Sequence, residues 1–161
     1  MVVDLGAAPG GWSQVAAART GQKGQILALD ILEMQPIKGV TVFQGDFTED
    51  GPLQALLALT GESRVDLVIS DMAPNLSGMK DIDQPRSMYL AELAYDFAVR
   101  VLRNEGTLLV KCFEGEGINS IRRLFGAGFA RVNNYKPRAS RAGSREIYLL
   151  GRGFKDGKDK R

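Results

Sequence analysis

The stretch VVDLGAAPGGW, which begins at Val2, constrains this chain more than any other. A hydrophobic strand runs into a glycine-rich loop, and SQVAAAR then leaves the loop as a helix. Strand and helix signals keep alternating behind it. GQILALD and VTVFQGD read as a second and third strand, PLQALLALT as a helix, and RVDLVISD as a fourth strand apolar enough to be buried on both faces. QPRSMYLAELAYDFAVRVLRNEG is the clearest helix. Leu90, Leu93, Ala94, Phe97, Ala98, Val101 and Leu102 form its apolar stripe, with Pro85 in the first turn and Gly106 as the C-terminal cap. TLLVKCF is a fifth strand, INSIRRLFGAG a short helix, and FARVNNY with REIYLLGR a closing antiparallel pair joined by a basic loop. The alternation predicts an α/β fold, a mostly parallel sheet with helices on both faces and ligands beyond the carboxyl ends of the strands. The glycine loop, Asp30, Asp46, Asp71 and Lys111 all fall at those ends.

The 161 residues suffice for one domain with a real core, and no run of 18 apolar residues is present to span a membrane. No signal-peptide pattern opens the chain, and the single cysteine, Cys112, leaves no internal disulfide, so a reducing, cytoplasmic setting is expected. The chain contains no histidine. That excludes a Ser-His-Asp triad, a His-paired cysteine nucleophile and a His-rich metal site, and leaves a carboxylate, a lysine or a tyrosine as any general base. A net charge of +2 hides an asymmetry: residues 1–135 carry 12 basic and 16 acidic side chains, residues 136–161 carry 9 and 3. A basic end on a slightly acidic body suggests a polyanionic partner.

GAAPGG is neither a Walker loop, since Gly-Lys-Ser/Thr is absent, nor a clean G-x-G-x-x-G, since Pro9 sits within the turn. Asp30 ends the second strand about twenty residues later, where a carboxylate accepts from ribose hydroxyls. Asp46, in QGDF after the third strand, is placed to contact an adenine amino group. An adenosine-containing ligand follows, NAD or S-adenosylmethionine. A dinucleotide usually needs a second mononucleotide half, for which this chain is short. An acidic rim suits the cationic amino-acid portion of the sulfonium ligand.

SDMAPNLSG follows the fourth strand with Asp71 at its head and Pro74 stiffening the turn. Amino-group methyltransferases often carry Asp/Asn-Pro-Pro-aromatic here; this chain has Met72, Ala73, Pro74 and Asn75, which makes base methylation the weaker reading. Lys111 lies among Leu109, Val110, Cys112 and Phe113 at the end of a buried strand, and Glu146 shares a face of the last strand with Tyr148. Asp71, Lys111 and Glu146 together make a polar cluster able to orient a ribose hydroxyl and help remove its proton while it attacks a methyl group.

DLGAAPGGW, SDMAPNLSG, LVKCFEGEG and KPRASRAGSREIYLLGRG resemble the FtsJ/RrmJ (RlmE-type) ribosomal RNA ribose 2'-O-methyltransferases, from Val2 to about Phe154. The resemblance implies a Rossmann-like methyltransferase fold with a seven-stranded sheet over residues 1–154; by its lysine-rich composition the basic end at 155–161 is expected to be a disordered tail. It implies S-adenosylmethionine as donor and, as acceptor, a uridine of large-subunit (23S) ribosomal RNA on the assembled 50S subunit. By motif, Gly10, Trp12, Asp30, Asp46 and Asp71 would hold the cofactor. Asp71, Lys111 and Glu146 would be three members of the family's Lys-Asp-Lys-Glu tetrad, with Lys111 central. Lys136, Arg138, Arg141 and Arg145 would face RNA phosphates. No metal or membrane is implied, and a monomer is expected. The family's first tetrad lysine precedes the first strand, where this chain has only Met1, so an N-terminal truncation with reduced RNA affinity and stability is expected. A non-catalytic RNA-binding module is the alternative, and a nicotinamide oxidoreductase the more distant one.

Overall fold

The computed structural model describes residues 1–62, 64–138 and 143–157. Among them seven strands form one sheet around β1 (Val2–Leu5). On one side of β1 lie β2 (Ile26–Asp30) and β3 (Val40–Gln44). On the other lie β4 (Val65–Ser70), β5 (Leu102–Phe113), β7 (Glu146–Phe154) and, outermost, β6 (Phe129–Tyr135). β1 to β5 pair in parallel, and β7 runs antiparallel to both β5 and β6. The helices are α1 (Gly11–Thr20), α2 (Asp50–Thr60), α3 (Lys80–Val101) and α4 (Ile118–Gly128). This is the mostly parallel α/β sheet the alternation predicts, with its closing antiparallel pair, and the seven-stranded Rossmann-like architecture the resemblance implies.

Alternate strand residues sort the core into two faces. Val3, Leu5, Leu27, Leu29, Val68 and Leu108 pack with Leu56 of α2, Phe97 of α3 and Phe125 of α4. Val2, Ile26 and Ile69 pack on Ala16 of α1. Each large side chain buried this way contributes roughly 1.5–3 kcal/mol. Cys112 lies fully buried, and burial foremost pushes its thiol up to about 12, so it behaves as a small apolar side chain.

Three local expectations change. α3 begins at Lys80, so Pro85 is its sixth residue rather than a first-turn residue; the missing N–H costs one helical bond. The same helix ends at Val101, because Leu102 turns extended and pairs with Val65 of β4. Glu105 then takes a positive φ of 65°, and Gly106 lies inside β5 instead of capping the helix. β4 is not buried on both faces along its whole length: Asp66 is exposed and pairs with Arg103 and the chain's amino terminus.

Gly151 of β7 lies beneath the ring of Phe129, which also stacks on Phe125 and Phe154. A Cβ at Gly151 would sit 2.7–3.0 Å from three ring atoms. Gly151→Ala should therefore displace a fully packed aromatic ring and lower the unfolding free energy by about 1–3 kcal/mol, read from urea denaturation.

Asp4, in the middle of β1, is completely buried. Ser13 Oγ of α1 donates to its Oδ2 at 2.6 Å, while Oδ1 has no hydrogen-bond partner among the described residues. Burial foremost pushes this carboxyl up to about 6, with Asp71 and Asp30 adding to the effect and the Ser13 bond opposing it. An unfolded Asp titrates near 3.9, so the folded state binds the proton more tightly. Its contribution to stability is complete below about pH 4 and is lost as the pH rises through about 6, an effect on the order of 3 kcal/mol. Asp4→Asn should remove that dependence. The stability difference between variant and wild type should shift in the variant's favour from pH 4 to pH 7, measured by urea unfolding across the range.

Candidate active site

Strand order reverses between β1 and β4, and the chain leaves the sheet there in opposite directions. A cavity of about 570 Å³ opens above those strand ends, walled by Gly6, Ala8, Asp30, Asp46, Asp71 and Lys111 among others. Gly6 is required where the two loops converge. It has a φ of 69°, and a Cβ there would lie 2.8 Å from the backbone nitrogen of Met72. The glycine thus lets the loop after β1 and the loop after β4 form adjacent walls.

The acidic wall is ordered by backbone amides. Asp30 accepts from the N–H of Ala8 at 2.9 Å and of Leu32 at 2.8 Å, which ties the glycine loop to the end of β2. Asp46 Oδ1 accepts from the hydroxyl of Thr48 at 2.6 Å and its N–H at 2.9 Å, and these bonds hold its carboxyl below the ordinary range.

The basic end follows from sheet register. Val110 pairs with Ser70, so Lys111 comes level with Asp71; Lys111 in turn pairs with Tyr148 across the antiparallel β5–β7 ladder. Lys111 Nζ lies 3.2 Å from Asp71 and 4.0 Å from Glu146, with its own side chain only 14% exposed and that of Glu146 42%. Tyr148 donates its hydroxyl to Asp71 at 2.8 Å. Burial foremost, then this bond and the two neighbouring carboxylates, raises the phenol's pKa, so Tyr148 remains a donor through the neutral range.

The donor set fits S-adenosylmethionine. Carboxylates line the cavity where ribose hydroxyls, an amine and a sulfonium need acceptors or negative charge, whereas the phosphates of a dinucleotide would meet those same carboxylates.

Asp30, Asp46, Asp71, Lys111 and Glu146 are thus brought together around one end of the sheet. Gly10 is not among the cavity walls; with a φ of 122° it caps α1 from outside. Trp12 is not a wall either, and its ring packs edge-on against Tyr148 at 6.0 Å. Among the expected RNA contacts, Lys136 donates to the carbonyls of Ser144 and Glu146 at 2.5 and 3.2 Å. Arg145 reaches Gln84 at 3.4 Å and lies over the Phe113 ring. Arg138 is exposed, and Arg141 lies outside the described residues.

Sequence reasoning missed Asp4, Asp83, Gln84 and Arg86. Gln84 is buried, and its amide donates to the carbonyls of Phe113 and Glu116 at 2.9 and 3.0 Å, fastening the loop beyond Lys111 to α3. A carboxylate and an amide at the start of a mostly apolar helix face were the available signal. Arg86 joins the cavity wall from the same helix.

Comparison with known proteins agrees with this geometry. The FtsJ-like methyltransferase model matches residues 1–154. The chain is 61% identical over 153 residues to the ribosomal RNA large subunit methyltransferase E of Alkalilimnicola ehrlichii, covering 95% of this chain and 73% of that one. It is 56% identical over 154 residues to the protein of the same name from Hahella chejuensis, covering 96% and 75%. Among solved structures, one described as a ribosomal RNA methyltransferase of Plasmodium falciparum superposes with a TM-score of 0.83 at 29% identity, covering 95% of this chain and 85% of that one. Human methyltransferase-like protein 13, solved in complex with SAH, shares the fold at a TM-score of 0.65 and 15% identity, over 99% and 73%. The family model covers nearly the whole described chain and the relatives are more than half identical to it, and the chain belongs to the FtsJ-like methyltransferase family.

Proposed function

We propose that this chain methylates the ribose 2'-hydroxyl of a uridine in large-subunit (23S) ribosomal RNA, acting as a cytoplasmic monomer on the assembled 50S subunit. The observation that carries the reading is Lys111, held between Asp71 and Glu146 at the edge of a cavity whose opposite wall carries Asp30 and Asp46. The relatives named as ribosomal RNA methyltransferases support the choice of RNA.

S-adenosylmethionine supplies, when bound, an electrophilic methyl group on a sulfonium. Gly6, Ala8, Asp30, Asp46 and Asp71 are the residues that would hold it. The chain's remaining task is to place and deprotonate the acceptor. Lys111 is fixed by Asp71, which Tyr148 fixes in turn, so its ammonium can hold a hydroxyl oxygen without first being ordered. Glu146 is the more exposed of its two carboxylate partners and offers the path by which the hydroxyl proton reaches solvent. The absence of a stacking aromatic in the segment from Met72 to Asn75 supports a ribose rather than a base as acceptor.

Lys111→Ala should lower methyl transfer at least about a hundredfold, with the dissociation constant for S-adenosylmethionine within about twofold of wild type. The check is transfer of labelled methyl to unmodified large subunits, followed by nucleoside analysis, with cofactor binding measured by calorimetry. A product of 2'-O-methyluridine supports the reading. A base-methylated product, or normal turnover by the variant, overturns it.

A further inference from the structure

We propose that the tip of the loop between β4 and α3 is an apolar wedge that unstacks the RNA strand beside the nucleotide being methylated. This rests on the RNA reading above. The near half of the loop, from Asp71 to Asn75, lines the cavity. Its far half does the opposite of what apolar residues do in a folded chain: Leu76 is 66% exposed and Met79 59%, with Ile82 exposed behind them on the first turn of α3.

The backbone between these side chains is tied down. Asp83, itself buried, accepts from the N–H of Ser77 at 2.9 Å, its hydroxyl at 2.8 Å and the N–H of Gly78 at 3.1 Å. Ser77 Oγ also accepts from the N–H of Met79 at 3.1 Å. One buried carboxylate therefore anchors the polar residues at the centre of the tip, and the apolar ones on either side project into water. An exposed apolar surface fixed at the mouth of a reaction cavity is suited to a flat apolar partner that arrives with the substrate.

Arg86 decides which partner. It follows Ile82 by one helical turn, so it stands on the same face as the apolar tip while also lining the cavity. Apolar contact for base faces with an adjoining cation for phosphate is the pairing a nucleic-acid strand requires. In a stacked RNA helix the 2'-hydroxyl lies in the shallow groove between neighbouring nucleotides. Bringing it to the recessed Lys111 opens the strand, and an inserted apolar side chain offsets the lost stacking.

The test uses a stem-loop oligoribonucleotide with 2-aminopurine beside a uridine, titrated with the chain in the presence of S-adenosylhomocysteine; the probe brightens when unstacked. Wild type should raise the emission severalfold. The double variant Leu76→Ser, Met79→Ser should bind the RNA about tenfold more weakly and leave the emission of the saturated complex at its free value, with S-adenosylmethionine affinity unchanged. Leu76→Met should retain the rise. Arg86→Gln should keep the rise but reduce the slope of log affinity against log salt by about one. A full rise with the double variant, or RNA bound by wild type without any rise, would overturn the wedge while methyl transfer persisted. A wild-type chain that neither binds the stem-loop nor transfers methyl to unmodified large subunits would overturn the RNA reading and the wedge together.

Discussion

The ion pair between Lys111 and Asp71 depends on sheet register, and much of the site depends on that pair. Ser70 and Val110 are paired residues of parallel strands, so the next residue of each emerges at the same height above the sheet. Tyr148 is the direct partner of Lys111 in the antiparallel ladder, and Glu146 follows on the same face two residues away. Three polar side chains on β5 and β7 and that of Asp71, directly after β4, thus meet through strand register. A one-residue slip of β5 would send Lys111 to the opposite face, among the apolar side chains of α3 and α4. The tight packing of the sheet core is therefore also what sets the geometry of the chemistry.

The second constraint is electrostatic. Asp4, Asp30, Asp46 and Asp71 lie in, at the end of or just beyond four neighbouring strands, and Asp4 is buried with one oxygen unpaired among the described residues. Burial raises the cost of charging Asp4, and the neighbouring carboxylates of Asp71 and Asp30 add to it. A cationic ligand offsets that cost, so the acidic cluster favours a sulfonium over a phosphate-bearing cofactor. Lys111 is the local counterweight, and its partial burial confines its charge to the two carboxylates beside it.

Much of this was legible in the sequence because its signals were local. Strands such as ILALD and VDLVIS announce themselves by composition, and the residues that end them, Asp30 and Asp71, are strand-end residues by position alone. The C-terminal limit of α3 was misjudged because nonlocal pairing decides it: Leu102 is claimed by Val65 of β4. Gly10 and Trp12 belong to the glycine motif, yet their part in this structure is to cap α1 and to pack against Tyr148. Asp4 was hidden inside an apolar run, where a single carboxylate looks like noise until Ser13 of α1 is folded over it. No sequence window contains both the residue and its burial.

The residues that frame the site share a further logic. Asp83 and Gln84 are consecutive on α3, both buried, and each spends its polar atoms on a different loop: Asp83 on the loop leaving β4, Gln84 on the loop leaving β5. Those two strands carry Asp71 and Lys111 to the cavity. One helical turn therefore fixes the spacing between the two loops. Buried side-chain hydrogen bonds of this kind contribute modestly to net stability but cost more when one partner is left unpaired. Such bonds constrain loop position more than they raise overall stability, consistent with loops that must accept a large polyanion without shifting the lysine behind them.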